Sequence, residues 1–432
     1  MSYTPVDVVQ VFAWGRRVGV LAAGRRRGAY DFEYDPAWVR TGVELAPVLM
    51  PRRLRPFSFA DLPRETYSGL PPMIADSLPD AFGNSLIDAW MAEQGIPHDR
   101  VTALDRLAYL GNRGMGALEY VPDVQPAAQR PSALDMNDVV LAARAAVHGT
   151  LTTERAAQHA LQQIIDVGTS AGGARAKAII NLNTVTGEIT SGHIAPGPDA
   201  EPWLLKFDGV GIDEQLGETS EYGRIEQAYA QMARAAGVEM APTRLLEEHG
   251  RAHFMTRRFD REGTRRLHLQ SLTGLAAVDF RASGANSYAQ VFTTIDELGL
   301  PADQLRHTRT EIWRRMAFNV AASNNDDHAK NIGFLADEQG NWRLSPAYDL
   351  TFAYNPRGQW TNQHQLAVNG RFRDITRDDL LEVADQFEVQ HVKQTRESIA
   401  TALDSWSEFA TAAGVSPATR DRIGGMLHPE VL

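Results

Sequence analysis

The chain opens with short runs in which apolar and polar residues alternate, and the alternation predicts strands over Val6 to Phe12, Val18 to Ala22 and Ala29 to Tyr34. Gly15-Arg16-Arg17 and a second glycine-containing turn separate these runs, so a small antiparallel sheet is expected. The period then lengthens to that of a helix around Gly83 to Gln94 and Arg100 to Leu110, and Ala117 to Val121 reads as one more strand. From Pro122 to Pro131 periodicity is lost in favour of Pro, Gln and Ala, which marks a boundary. Met136 to Val147 and Thr153 to Ile165 are again helical, and a glycine-rich loop, Gly168 to Gly173, follows them.

Further along, the pattern predicts strands over Ala178 to Leu182 and Trp203 to Phe207. A helix over Ser220 to Ala236 follows, with Tyr222, Ile225, Tyr229, Met232 and Ala233 on one face. Arg244 to Glu248 and His253 to Phe259 form a candidate hairpin around His249-Gly250. Beyond Asp260 the pattern is mostly helical, except for a hairpin suggested by Ile332 to Leu335, Asp337 to Asn341 and Trp342 to Leu344. A helix over Thr308 to Ala322 carries Ile312, Met316 and Val320 on one stripe, and the polar run Ser323-Asn324-Asn325 stops it.

Composition narrows the class. A chain of 432 residues exceeds the usual size of one hydrophobic core, so two or three packed units are expected. No window approaches the roughly 20 uninterrupted apolar residues of a membrane helix. The polar, strand-like Met1 to Phe12 lacks the features of a secretory signal, which with the absence of cysteine suggests a cytoplasmic protein. Lacking cysteine, the chain has no disulfide, thiolate zinc site, iron–sulfur cluster or Cys nucleophile. A net charge of -11 disfavours unaided tight binding to DNA. The basic clusters Arg25-Arg26-Arg27 and Arg52-Arg53 with Arg55 have no interleaved aromatic residues and read as solvated turns.

The segment with most chemistry is Ser323 to Asn331, S-N-N-D-D-H-A-K-N, in which six of nine residues are Asn, Asp or His. Asp326 and Asn331 have the D-x-x-x-x-N spacing of protein-kinase catalytic loops, where the Asp receives the substrate hydroxyl proton and the Asn binds magnesium. Asp326 and Asp327 are adjacent, and only the spacing to Asn331 selects the first. Asp349, in Pro346-Ala347-Tyr348-Asp349-Leu350 after the predicted hairpin, stands where kinases keep a second magnesium-binding carboxylate. Lys206 lies inside the otherwise apolar Leu204-Leu205-Lys206-Phe207, and a buried ammonium calls for an anionic partner such as phosphate. Each piece alone has a bland reading: a structural loop, a turn cap, a lysine on an edge strand. Their order along the chain favours phosphoryl transfer. His328 could orient the loop or touch phosphate, and Lys330 could neutralise a transferred phosphoryl group or face solvent. Glu226 and Glu221 are both eligible partners for Lys206. A P-loop is excluded because Gly173 is followed by Ala174-Arg175-Ala176-Lys177 in place of Gly-Lys-Ser/Thr, and no H-E-x-x-H or Cys pair supports zinc.

Taken together, Gly168 to Lys177, Leu205-Lys206, Arg258-Phe259-Asp260-Arg261, Asn325 to Asn331 and Ser345 to Leu350 resemble successive signature segments of the HipA family. Gly69-Leu70-Pro71-Pro72, Asp76 to Asp80 and Gly114 to Leu118 resemble its accessory region, so the resemblance spans most of the chain. It implies an α+β, two-lobed protein-kinase-like fold with a small β-rich N-terminal subdomain over 1–124, a nucleotide-binding lobe over 135–257 and a mostly helical catalytic lobe over 258–432.

The family's activity is that of a serine/threonine protein kinase, the toxin of a HipBA-type toxin–antitoxin module, using ATP and magnesium and tied to growth arrest and persistence. By resemblance Asp326 is the catalytic base, Asn331 and Asp349 hold magnesium, and Lys206 binds ATP phosphate. Arg257 to Phe259 corresponds to the inter-lobe connection that grips adenine, although Arg257 stands where the family often has an acidic residue. His328, Lys330, Gly172 and Gly173 complete the ATP site, and Ser170 matches an autophosphorylated serine whose modification switches the kinase off. The implied partners are a HipB-like helix-turn-helix antitoxin, operator DNA reached mainly through it, and an aminoacyl-tRNA synthetase as substrate. Two alternatives stay open: a catalytically idle co-repressor scaffold for a DNA-binding antitoxin, and a small-molecule or lipid kinase.

Overall fold

Alternating burial along the first strand sets the N-terminal architecture. In the computed structural model, which describes residues 4–124, 139–140, 176–208, 221–248 and 250–432, Val9, Val11 and Ala13 of β1 (Val8–Ala13) turn inward. β1 pairs antiparallel with β2 (Arg16–Ala23) and with β5 (Leu118–Val121). β3 (Tyr30–Tyr34) and β4 (Phe57–Ser58) complete a five-stranded sheet of order β4-β3-β2-β1-β5. Gly19 permits the β2–β3 approach, because a Cβ there would stand 2.3 Å from the Glu33 carbonyl oxygen and 2.6 Å from the Phe32 ring. Helix Ala81–Glu93 starts on Asp80, whose carboxylate accepts from Gly83 N, and helix Ala103–Leu110 starts on a reciprocal Thr102/Asp105 cap.

The chain divides into two units, each described by itself. The first comprises Met1–Gly211, Met255–Gln270 and Ala336–Asn341; the second comprises Ile212–Phe254, Ser271–Leu335 and Trp342–Leu432.

The first unit holds a second antiparallel set, with β6 (Lys177–Asn183) between β7 (Ile189–Ser191) and β8 (Ala200–Lys206). Arg258 N donates to Pro202 O, which aligns the chain after strand Arg251–Arg257 with β8. Hydrogen bonds tie the segment 258–268 to the N-terminal sheet and its loops. Gly116 N donates to Asp260, Trp14 Nε1 to the Arg266 carbonyl, Arg266 to Glu119, and the His268 ring meets the Leu45 carbonyl. Of the basic clusters, Arg25 to Arg27 is an exposed turn, while Arg52 is bound to Glu44 and Arg53 lies over the Phe57 ring.

In the second unit, helix Tyr222–Ala235 buries Ile225, Ala228, Tyr229, Met232 and Ala233, a stripe at helical spacing. Tyr229 meets Phe318 and Trp406 edge-on and donates to the Ala322 carbonyl. Helix Ala302–Ala321 begins six residues before the expected start, because its first turns are largely exposed and carry no apolar stripe to announce them. The expected hairpin is present as strands Gly333–Ala336 and Trp342–Leu344. Short strands at Asn286–Ser287 and Leu366–Ala367, which pair in parallel, and at Arg261–Glu262 and Arg265–Arg266 were not foreseen, since two residues are too few to show a period. The helices expected over Met136 to Val147 and Thr153 to Ile165 lie outside the described residues, apart from Val139 and Val140.

Candidate functional site

The chain leaves helix Ala302–Ala321 through Ser323, whose left-handed φ of 53° breaks the helical path. The following polar residues then find fixed partners. Asn324 donates through Nδ2 to Asn319 Oδ1 at 2.9 Å, and Asn325 Nδ2 to the Thr361 carbonyl at 3.1 Å. Asn325 N donates to Ala353 O and Ala353 N to Ser323 O, so the segment is stitched to its neighbour on both sides of one residue.

Burial alternates along the next six residues. Asn325, Asp327 and Ala329 are buried, whereas Asp326, His328 and Lys330 are partly exposed, and the backbone, extended at His328, tightens into a 3-10 turn over Ala329–Asn331. The alternation separates the adjacent acids. The Asp327 side chain is 1% exposed and takes three hydrogen bonds, from Tyr288 Oη at 2.9 Å, His364 Nδ1 at 3.0 Å and Gln365 N at 2.8 Å. The Asp326 side chain is 46% exposed. Burial and then the Asp327 charge push the Tyr288 hydroxyl well above its ordinary pKa, so it keeps its proton and donates. His328 stands edge-on to Phe280 at 5.5 Å, with its Nε2 3.9 Å from Asp326, and the Lys330 ammonium lies 5.4 Å over the same ring.

Asn331 Nδ2 donates to the Asp326 carbonyl at 2.8 Å, which ties the two ends of the D-x-x-x-x-N segment together. With Nδ2 anchored there, the carboxamide presents Oδ1 on its other side. Tyr348 Oη donates to the Lys330 carbonyl at 2.7 Å, and the next residue, Asp349, has a left-handed φ of 56°. Arg315 holds this second segment by donating to the Ser345 carbonyl at 2.9 Å, itself fixed by Glu311. Gly333 lets the two approach: a Cβ there would lie 3.0 Å from both Ser345 Oγ and Tyr348 Oη. Asp327, Asn331 and Asp349 line one small cleft with Tyr288, Asn319 and Arg315, and Ile312, Ile332 and Leu350 form its apolar wall.

The second unit thus brings together Asp326, His328, Lys330, Asn331 and Asp349. Lys206, Arg257 and Phe259 lie in the first unit. Lys206 is buried at the end of β8 opposite Lys177 of β6, whose ammonium is 3.6 Å from Asp80. Arg257 is exposed and pairs with Glu201, and the two residues around Phe259, Arg258 and Asp260, form a buried ion pair at 2.7 Å that Arg261 joins. Burial would raise the Asp260 carboxyl, but Arg258 and Arg261 more than offset this and hold it well below the usual carboxylate range. Of the two glutamates considered for Lys206, Glu221 accepts from Ser416 N, Ser416 Oγ and Thr419 Oγ1, while Glu226 is buried within its helix. Ser170, Gly172 and Gly173 lie outside the described residues.

The oxygens of Asn331 and Asp349 are hard donors of the kind magnesium prefers. Among the described residues no group of three or more His, Asp or Glu is arranged to hold a metal, so a cation bound here would complete its shell with water or substrate oxygens, the usual habit of magnesium. Sequence reasoning missed Tyr288 and His364, which reach Asp327 from 39 and 37 residues away and leave no spacing signal.

The architecture is an α+β, HipA-like fold, with a β-rich N-terminal part and a mostly helical C-terminal part. Residues 169–413 match the model of the HipA-like C-terminal domain and residues 9–121 that of the HipA N-terminal domain. With more than half of its length in the first match, the chain belongs to the HipA family. A Sinorhizobium fredii protein named "Putative kinase Y4mE" is 26% identical over 374 residues, covering 81% of this chain and 78% of its own. A chain of the solved complex of HipA, HipB and operator DNA from the Shewanella oneidensis MR-1 toxin–antitoxin system superposes with a TM-score of 0.62 at 14% identity, covering 97% of this chain and 94% of that one. Among the described residues no helix is long and apolar enough to cross a membrane.

Proposed function

We propose that the chain is an ATP-dependent protein serine/threonine kinase, the toxin of a HipBA-type module. The observation that carries this reading is the joining of Asp326 to Asn331 through the 2.8 Å bond, with Asp349 in the same cleft as Asn331. A proton acceptor on an outward face and two oxygen ligands beside it are the parts that phosphoryl transfer needs from a protein. Asp326 orients the acceptor hydroxyl and takes its proton, and Asn331 and Asp349 hold magnesium. His328 keeps the loop aligned, and Lys330 and Lys206 offset phosphate charge. Bound magnesium supplies charge neutralisation across the nucleotide phosphates. Arg257 and Phe259 contribute backbone to the adenine, and Gly172 and Gly173 complete the nucleotide site.

Membership in the family supports the finer points. These are autophosphorylation on Ser170 as an off-switch, an aminoacyl-tRNA synthetase as substrate, a HipB-like helix-turn-helix antitoxin through which operator DNA is reached, and a cytoplasmic setting. The solved relative, a complex of HipA, HipB and operator DNA, supports the antitoxin as partner.

The test is incubation of the purified chain with γ-labelled ATP and magnesium. Label on Ser170 or on a protein substrate is expected, and Asp326→Asn should lower transfer by about 10²- to 10⁴-fold with the fold intact. Asp349→Asn and chelation of magnesium should abolish it. Wild-type turnover in Asp326→Asn defeats the reading, and absence of label on any substrate favours the co-repressor scaffold.

A further inference from the structure

The second acid of the Asp326-Asp327 pair is tied into the interior by a directed chain of hydrogen bonds. Asn324 Nδ2 donates to Asn319 Oδ1 at 2.9 Å, Asn319 Nδ2 to Tyr288 Oη at 3.0 Å, and Tyr288 Oη to Asp327 Oδ2 at 2.9 Å. From the other side His364 Nδ1 reaches the same Oδ2 at 3.0 Å, and the backbone N of Gln365 reaches Oδ1 at 2.8 Å. Every described member of the chain is buried. Bonds aligned in one direction polarise one another and are stronger in a low-dielectric interior than singly in water.

We infer that Tyr288, Asp327 and His364 are positioning residues, which hold the 325–330 segment in the phase that turns Asp326, His328 and Lys330 outward. This rests on the kinase reading for its catalytic consequence. The two neighbouring carboxylates face opposite ways, Asp326 46% exposed and Asp327 1%, so fixing Asp327 inward keeps Asp326 outward. A shift of one residue in that phase would bury Asp326 and expose Asp327. Tyr288, Asn319 and Asp327 also line the cleft that holds Asn331 and Asp349, and the role inferred for them is the placing of the loop.

The test uses the full-length chain and two readouts. Tyr288→Phe removes one hydroxyl, and His364→Ala is paired with His364→Gln, which restores a donor. In transfer from γ-labelled ATP and magnesium, read as label on the protein and as phosphate released, Tyr288→Phe and His364→Ala should lower kcat by about 10- to 100-fold, as supporting partners of site residues do. KM for ATP and the thermal midpoint should stay close to wild type, and His364→Gln should recover most of the loss. Hydrogen exchange of the amides over 325–331 should accelerate in Tyr288→Phe and His364→Ala. Unchanged kcat in an active background, a lowered midpoint with normal kcat per folded molecule, or unchanged loop exchange overturns the inference. A wild-type chain that transfers no phosphate overturns the kinase reading instead, and faster loop exchange in the variants then still supports the positioning role.

Discussion

Asp260 in the first unit and Asp327 in the second are both fully buried carboxylates beneath backbone that carries family motifs, yet they are satisfied in different ways. Asp260 sits between the guanidinium groups of Arg258 and Arg261 and also accepts from Gly116 N. Asp327 has no guanidinium, and takes a phenol, an imidazole nitrogen and a backbone amide. The first arrangement balances charge with permanent charge, and losing the anion strands two cations in the interior. The second spreads one charge over weaker donors, so each donor can be removed singly at modest cost. Fixed charge suits a junction that must never open, while a graded set of donors suits a loop whose register matters more than its rigidity.

Four measurements would break or sharpen this contrast. The largest effect is expected for Asp260→Ala, which should lose about 3–5 kcal/mol in denaturant unfolding because it leaves Arg258 and Arg261 unbalanced; a loss no greater than that of Asp327→Asn would erase the distinction. Next comes an uncharged buried group in the same region. Burial depresses His268 from 6.5 to about 4, so the unfolded chain binds a proton the folded chain refuses. Its contribution is therefore intact above pH 6.5 and is lost as pH falls towards 4, by about 3 kcal/mol over that window. Unfolding curves at several pH values should show this acid slope, and His268→Gln should flatten it. Asp327→Asn should follow at about 1–3 kcal/mol, the cost of a mispaired buried polar group, with circular dichroism unchanged. The smallest effect belongs to Lys393 and Glu397, exposed by 89% and 66%. Exchanging either for Ala should leave the thermal midpoint where it was, as is usual for surface pairs, and sets the floor for the other three.

The elements that could be read from the chain alone are those where one periodicity runs long enough to dominate. β1 alternates in burial along its whole length and the sequence of β3 alternates apolar with acidic residues, and helix Tyr222–Ala235 carries its stripe through about three turns. Much of the 323–331 segment was legible for the same reason, since a dense run of polar residues after an apolar helix has few structural explanations. The partners of that run were not. Tyr288 and His364 look like an ordinary aromatic in a helix and a histidine in a loop, and only folding brings them to Asp327. The choice between Asp326 and Asp327 rested on spacing alone, whereas the alternation of burial supplies a physical reason for it. The strand pairs Asn286–Ser287 with Leu366–Ala367, and Arg261–Glu262 with Arg265–Arg266, owe their existence to neighbours, so no local pattern announces them.

The tie across the motif hangs on a single amide group, that of Asn331. Its Nδ2 faces the carbonyl of Asp326, and an aspartate in its place would set a carboxylate oxygen against another acceptor. One atom exchanged for another would thus undo the tie across the motif while the rest of the fold stayed in place.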